Sequence, residues 1–396
     1  MKKTLVALAA LAVVSAASAQ STVTMYGVVD MGIAQLKDSN NTNSNTAAGI
    51  LGNLGGVAAG NDAIKNGIQQ GTLSNSRIGF KGTEDLGNGL KANFVYEVQV
   101  NPDEKANQME TRVGTVGLSG NFGAVTLGRQ YTPYFVVQGA MDFAGNMNSM
   151  PGYVVNNHIS DGGRANSLNY SSPSFGGFSA IAQIGSGPVG AGTESTVTNG
   201  GQADGKNYGL AGIYAAGPLV AGLAYEEVTH SGSALSAYGS ITTPTANTTL
   251  GQANKSAAIV TFGNNSDAVK TWAAGASYDF TVVKASLAYS SLTDTAATRP
   301  DLTSKGWNIS LSAPIGAVTV YGNLGRANYK QDAGVATASD ASIKGFQLGA
   351  NYALSKRTTA YAVVGRDTLT VDSLSGTGLT GDFTRTATTV GVRHTF

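Results

Sequence analysis

The chain has 396 residues, 25 basic against 24 acidic, and no cysteine. A formal charge of +1 gives no electrostatic footprint for nucleic acid, and without cysteine there is no disulfide framework, so backbone pairing and packing must hold the fold. Glycine fills 53 positions, about twice the usual share of roughly 7%; with abundant Tyr, Thr and Ser and few Leu-Lys-Glu stretches, this points to a β-rich chain.

The first element is MKKTLVALAALAVVSAASAQ. Lys2 and Lys3 precede an apolar run from Leu5 to Val14, and Ala17-Ser18-Ala19 offers small residues for cleavage. Residues 1–19 therefore read as a secretory signal peptide, too short for a membrane helix, which needs about 20 apolar residues. The remainder, 20–396, has no apolar run long enough to span as a helix.

Alternating segments of about ten residues follow near 22–36, 74–84, 89–101, 109–119, 123–130, 165–172, 177–187 and 206–216. The series continues near 218–229, 270–280, 281–293, 304–313, 316–330, 343–354, 357–368 and 385–396. Short connections (Asp85–Asn88, Asn121–Phe122, Pro173–Gly176, Gly217, the Phe280/Thr281 junction, Pro314–Ile315, Ser355–Lys356) take turns with long polar ones (among them 37–73, 131–164, 188–205, 230–269 and 369–384). A soluble sandwich has no reason to sort loops this way. A membrane barrel does, with short periplasmic turns, long outer loops and an even number of strands.

The faces agree. Trp272, Ala274, Ala276, Tyr278 and Phe280 share one side of their strand, opposite Ala273, Gly275, Ser277 and Asp279; Phe346, Leu348, Ala350, Tyr352 and Leu354 share one side of theirs, opposite Gly345, Gln347, Gly349, Asn351 and Ala353. Such polar faces make a poor core but a good wall for a water-filled lumen. Closure is required because hydrocarbon leaves no solvent partner for an open sheet edge. On Arg77–Val100 this logic turns Ile78, Phe80, Phe94 and Tyr96 outward, and Arg77, Lys81, Glu97 and Gln99 inward.

Three motifs, VTMYGVVDMGI (Val23–Ile33), SRIGFKGTEDLGNGLKA (Ser76–Ala92) and TRVGTVGLSGNFGAVTLGRQ (Thr111–Gln130), precede a terminal TATTVGVRHTF. In that order the chain resembles the general diffusion porins of Gram-negative outer membranes, in particular the β-proteobacterial, neisserial-type branch. The resemblance implies a sixteen-stranded antiparallel barrel, a homotrimer in outer-membrane lipid and lipopolysaccharide, and a third outer loop, 131–163, folded inward as a constriction. It carries wall arginines onto Arg77, Arg112 and Arg164, with Lys81 and Arg129 as further members and Asp142 as an opposing loop acid. Phe396 falls on the residue such barrels present to the outer-membrane assembly machinery. Two departures stand out: the acidic stretch of related loops is Met150-Pro151-Gly152-Tyr153 here, and Val28 stands where some relatives carry lysine.

Clustered arginines against few carboxylates would favour passage of small anions over cations, and arginine stays charged when crowded by like charge. Strict alternation, however, places Arg112 with Gly114, Val116 and Leu118. If Arg112 faces water, the small side chains of Val113, Thr115 and Gly117 would face outward, as at a subunit contact. Other signals carry less. Gly185–Gly190 matches G-x-G-x-x-G but is followed by a polar loop, not the helix a dinucleotide site needs. His158, His230 and His394 form no metal-ligand spacing, so no metal or cofactor is expected. His158 near Asp161 is the one hint of a barrel enzyme, and a channel specific for one solute remains the alternative to general diffusion.

Overall fold

The computed structural model describes residues 22–42, 62–103, 109–141, 163–186, 206–229, 240–243, 257–261, 268–296, 299–331, 339–373 and 380–396. The expected leader, residues 1–19, lies outside them. The first strands are β1 (Thr22–Thr42), β2 (Asp62–Gln70), β3 (Arg77–Gly87), β4 (Leu90–Val100), β5 (Met109–Gly120) and β6 (Gly123–Tyr131). A helix, α1 (Pro133–Met141), precedes β7 (Arg164–Ser171), β8 (Phe178–Ser186), β9 (Lys206–Ala216), β10 (Leu219–Thr229), β11 (Ser240–Thr243) and β12 (Ala257–Thr261). The chain continues with β13 (Ala268–Asp279), β14 (Lys284–Ala296), β15 (Arg299–Ile315), β16 (Val318–Gln331), β17 (Ser339–Ala353), β18 (Thr358–Ser373) and β19 (Gly381–Thr395).

The lower half of β1 pairs with β3 and the upper half with β2, so β2 and β3 form one stave interrupted at 71–76. Every other neighbour is antiparallel, and β19 returns to β1 in register from Val28↔Thr395 to Thr42↔Gly381. Sixteen staves close without an edge, as the loop pattern requires. The hairpin β11–β12 stands apart, in the connection between β10 and β13.

All sixteen expected segments are strands. Four expected loops contain helix or strand: 131–164 holds α1, and 369–384 holds the end of β18 and the start of β19. The connection 37–73 holds the top of β1 and all of β2, and 230–269 holds β11–β12. Asp38–Thr42 is polar on both faces, so period two leaves no hydrophobic contrast there, and pairing with β19 decides its structure.

Burial separates the two faces. Ile33, Leu223 and Leu348 are more than half exposed on the outside, whereas Asp30, Glu226, Asp294, Ser304 and Ser310 are fully buried on the inside. The interruption at 71–76 is anchored by Asp30, whose carboxylate accepts from the Leu73 and Ser74 amides at 2.8 Å each and from the Tyr361 hydroxyl at 2.6 Å. Gly71 makes the turn with φ +77°.

The seam is sealed at the short-turn rim. Gly27 N donates to Phe396 O at 3.0 Å and Phe396 N to Gly27 O at 3.1 Å. The Phe396 ring covers Gly27, and a Cβ there would meet both that ring and the Arg77 carbonyl at 2.8 Å. Gly27→Val is therefore expected to cost about 1–3 kcal/mol of overpacking and to lower the temperature at which the folded band converts to the unfolded one in heat-modified gel electrophoresis.

Candidate functional site: the pore wall and its inner helix

Beyond a register shift at Asp85/Gly87, the β3–β4 ladder sets Arg77 opposite Gln99 and Gly79 opposite Glu97. Gly79 leaves room for the Tyr26 ring, which lies against it from β1. Tyr26 Oη donates to Glu97 Oε2 at 3.1 Å, and Lys81 Nζ stands 5.4 Å from the centre of the same ring. Glu97 collects the neighbouring cations. Arg112 Nε donates to its Oε1 at 2.8 Å, and Arg77 Nε lies 3.6 Å from its Oε2.

Arg112 reaches this position through a bulge. Glu97 pairs with Val113 while Val98 pairs with Thr111, leaving Arg112 as the extra residue on β5. The bulge lets Arg112 point inward without moving Gly114, Val116 and Leu118 off the outside face. Val113, Thr115 and Gly117 therefore oppose lumen-facing Glu97, Val95 and Asn93, which corrects the expectation that they form an outward subunit contact. The buried Arg112 guanidinium also donates to Gln99 Oε1 at 3.0 Å and to the Tyr131 hydroxyl at 3.1 Å. From the far side, Arg164 donates to that hydroxyl at 3.1 Å and stacks 4.6 Å over the Tyr131 ring.

Arg77 and Arg112 thus share the Glu97 carboxylate, Lys81 joins them through Tyr26, and Arg164 through Tyr131. Arg129 is not among them. It pairs with Gly114 and Asn166 on the face shared by Leu127 and Leu168, outside the barrel, and donates to the Thr111 carbonyl. Alternation decides this, because Gln130 and Thr126 take the inward positions. Asp142 lies outside the described residues, as do His158 and Asp161. Glu97, Tyr26 and Tyr131 were not singled out from the sequence as site residues. A register shift at Asp85/Gly87 hid Glu97, because counting straight back from the hairpin turn sets Gly79 opposite Val98 instead.

The opposite wall is small and apolar. Ala211, Ala224 and Ala273 lie side by side on the lumen face of β9, β10 and β13, and Gly222 pairs with Gly275 one step lower. The inner helix α1 lies on this patch, with Tyr134 and Val137 buried against the three alanines. A Cβ on Gly209, Gly222 or Gly275 would sit 2.9 Å from Pro133 Cδ, Val137 Cγ1 or Met141 Cγ. The seat exists because these positions lack side chains. Ser286 Oγ fixes the far end by donating to Met141 O at 3.0 Å. At the near end the two limbs of the loop are clipped by Thr132 N donating to Gly163 O at 3.0 Å, and Thr132 also hydrogen-bonds the buried Glu226. Tyr131 stacks on Phe135 at 4.7 Å, joining the helix to the charged wall.

A barrel of sixteen staves with a helix seated inside defines a channel protein, and comparison with known proteins agrees. The Gram-negative porin family profile matches residues 5–372, and the chain belongs to that family. It is 30% identical to outer membrane porin protein 32 of Delftia acidovorans over the whole of both chains, and 31% identical to the major outer membrane protein P.IB of Neisseria gonorrhoeae over 46% of this chain and 48% of that one. Among solved structures, an anion-selective porin from Comamonas acidovorans superposes with a TM-score of 0.63 at 26% identity, covering 95% of this chain and all of the other. The protein is an outer-membrane porin, not an enzyme.

Filling the seat should release the helix. Gly222→Val with Gly275→Val is expected to raise single-channel conductance in planar bilayers and to admit larger sugars in liposome swelling, while the barrel remains folded.

Proposed function

We propose that this porin is a general diffusion channel for small hydrophilic solutes that favours anions, with residues 131–163 as its constriction loop. The observation that carries this reading is the wall cluster: Arg77 and Arg112 share one carboxylate, Glu97, while Lys81 stands over the Tyr26 ring that donates to Glu97 and Arg164 meets Arg112 at the Tyr131 hydroxyl. At about 4 Å a unit charge is worth ~1 kcal/mol in bulk-like water and ~4 kcal/mol at intermediate dielectric. A cluster with a net positive excess therefore biases passing ions several-fold without binding them tightly, which would slow passage. The relative described as anion-selective supports the same sign.

The remaining expectations complete the proposal. Residues 1–19 are removed on export, three copies assemble in the outer membrane, and Phe396 on the last strand is read by the assembly machinery. The reciprocal Gly27–Phe396 hydrogen bonds support that last role, since they form as the barrel closes.

Substitutions around Glu97 should shift ion preference in opposite directions. Arg77→Ala and Arg112→Ala are each expected to lower the anion-to-cation permeability ratio roughly two- to several-fold, and Glu97→Gln to raise it, read as zero-current potentials across a salt gradient. Changes of the same sign for all three would refute a selectivity role. In liposome swelling, uptake should fall smoothly with sugar size; saturation by one sugar would instead indicate a solute-specific channel.

A further inference from the structure

A run of neutral amides links the interruption in the β2–β3 stave to Arg112. The outward face of β2 carries Ile68, 66% exposed, so strict alternation would send Gln70, two residues on, outward as well. Gln70 is instead 3% exposed, because Gly71 breaks the strand with φ +77° and donates its amide to Asp30 O at 3.0 Å. Where the ladder has run out, Gln70 N donates to Asp103 Oδ2 at 3.1 Å. The Gln70 side chain meets Asn101, one residue beyond the end of β4.

These amides can be joined in one sense only. Ser76 N donates to Gln70 Oε1 at 3.3 Å, and a backbone amide can only donate. That leaves Gln70 Nε2 to donate to Asn101 Oδ1 at 2.7 Å. At the other end Arg112 Nη1, also a donor only, bonds Gln99 Oε1 at 3.0 Å. Gln99 Nε2 therefore donates to the same Asn101 Oδ1, at 3.1 Å. Two fixed donors dictate every amide orientation between them, and the direction reverses at Asn101, whose one oxygen accepts from both sides. Asn75, within the interruption, adds a second clamp. Its Nδ2 donates to Gln99 Oε1 at 3.1 Å, and its carbonyl accepts from Arg77 Nη1 at 3.3 Å. Gln70, Gln99 and Asn101 are all buried, where water competes little and a satisfied network holds its members rigidly.

We infer that Gln70 and Asn101 are positioning residues for ion selectivity: acting through Gln99, they hold the Arg112 guanidinium in its place beside Glu97. Arg112 needs such support because it is the extra residue of a bulge, and no ladder partner sets its direction. Without Asn101 Oδ1 the Gln99 amide can turn its NH2 toward the guanidinium, so that donor faces donor and Arg112 swings away. The stave interruption thereby serves the pore, since an unbroken β2 would carry Gln70 to the outside. The inference rests on the anion-preferring reading of the wall cluster and adds to it residues that carry no charge.

The test measures zero-current potentials of the full-length mature protein in planar bilayers across a salt gradient. The variants are Asn101→Ala, Gln70→Met, Arg112→Ala and N101A/R112A, with Gln69→Met as control. Gln69 carries the same buried amide next door on β2 but bonds Thr72 and Thr389, not the run to Arg112. Asn101→Ala and Gln70→Met remove no charge, yet each is expected to lower the anion-to-cation permeability ratio by about 1.5- to 2-fold. In the Arg112→Ala background Asn101→Ala should have no further effect, because no guanidinium is left to aim, and Gln69→Met should leave the ratio unchanged. An unchanged ratio in Asn101→Ala and Gln70→Met, or the same fall with and without Arg112, would overturn the inference. An equal fall in Gln69→Met would also overturn it, since the loss of any buried amide would then suffice. If Arg112→Ala itself leaves the ratio unchanged, the selectivity reading fails and this inference with it. Heat-modified gel mobility reports whether each barrel is folded, and Gln70→Met alone decides the outcome if Asn101→Ala is not.

Discussion

Everything in this structure follows from one constraint: in hydrocarbon a backbone amide or carbonyl has no water to fall back on. A sheet can meet that demand only by closing, and the β1–β19 register with the reciprocal Gly27–Phe396 bonds is how this chain closes. Closure then fixes the assignment of faces. With sixteen staves the inside is too wide to be filled by side chains alone, so polar residues there meet water and the apolar ones go outside. What looks like an inverted protein, with Leu223 and Leu348 exposed and Asp30 and Glu226 buried, is the ordinary hydrophobic rule applied to a solvent that lies outside the wall.

Within the lumen the two walls do different work. One is charged and stiff, its cations held in place by hydrogen bonds through Glu97, Gln99 and Tyr131, so that fixed charge stands in the water column rather than on wandering side chains. The other is bare, a patch of Ala and Gly on which α1 lies in close contact. In the proposed reading the helix seated on the bare wall is what narrows the pore; Tyr131, stacked on Phe135 and bonded to Arg112 and Arg164, ties the two walls together. A change in the seat should thus be felt as pore size, and a change around Glu97 as ion preference.

Much of this was legible in the sequence. Period-two alternation and the sorting of loops by length were enough for sixteen strands, the closed barrel and the orientation of Arg77 and Lys81, because burial on one face leaves a strong repeating signal. Where that signal fails, the reading failed with it. Asp38–Thr42 is polar throughout, and its composition reads as loop. The bulge at Arg112 breaks the period by one residue, so strict alternation sent Val113, Thr115 and Gly117 to the wrong side. The resemblance carries Arg129 to the pore, although the inward position of Gln130 beside it places Arg129 outside. The alanine and glycine seat left no trace at all, since its function depends on side chains that are absent and on strands far apart in sequence.

The central claim is that the fixed charge at the narrow part of the pore is positive. It is tested most directly by the zero-current potential of the wild-type channel in a planar bilayer under a tenfold potassium chloride gradient. The cluster around Glu97 requires a potential whose sign reports chloride crossing more readily than potassium, shrinking as the mean salt concentration is raised at fixed gradient. A potential of the opposite sign would contradict it.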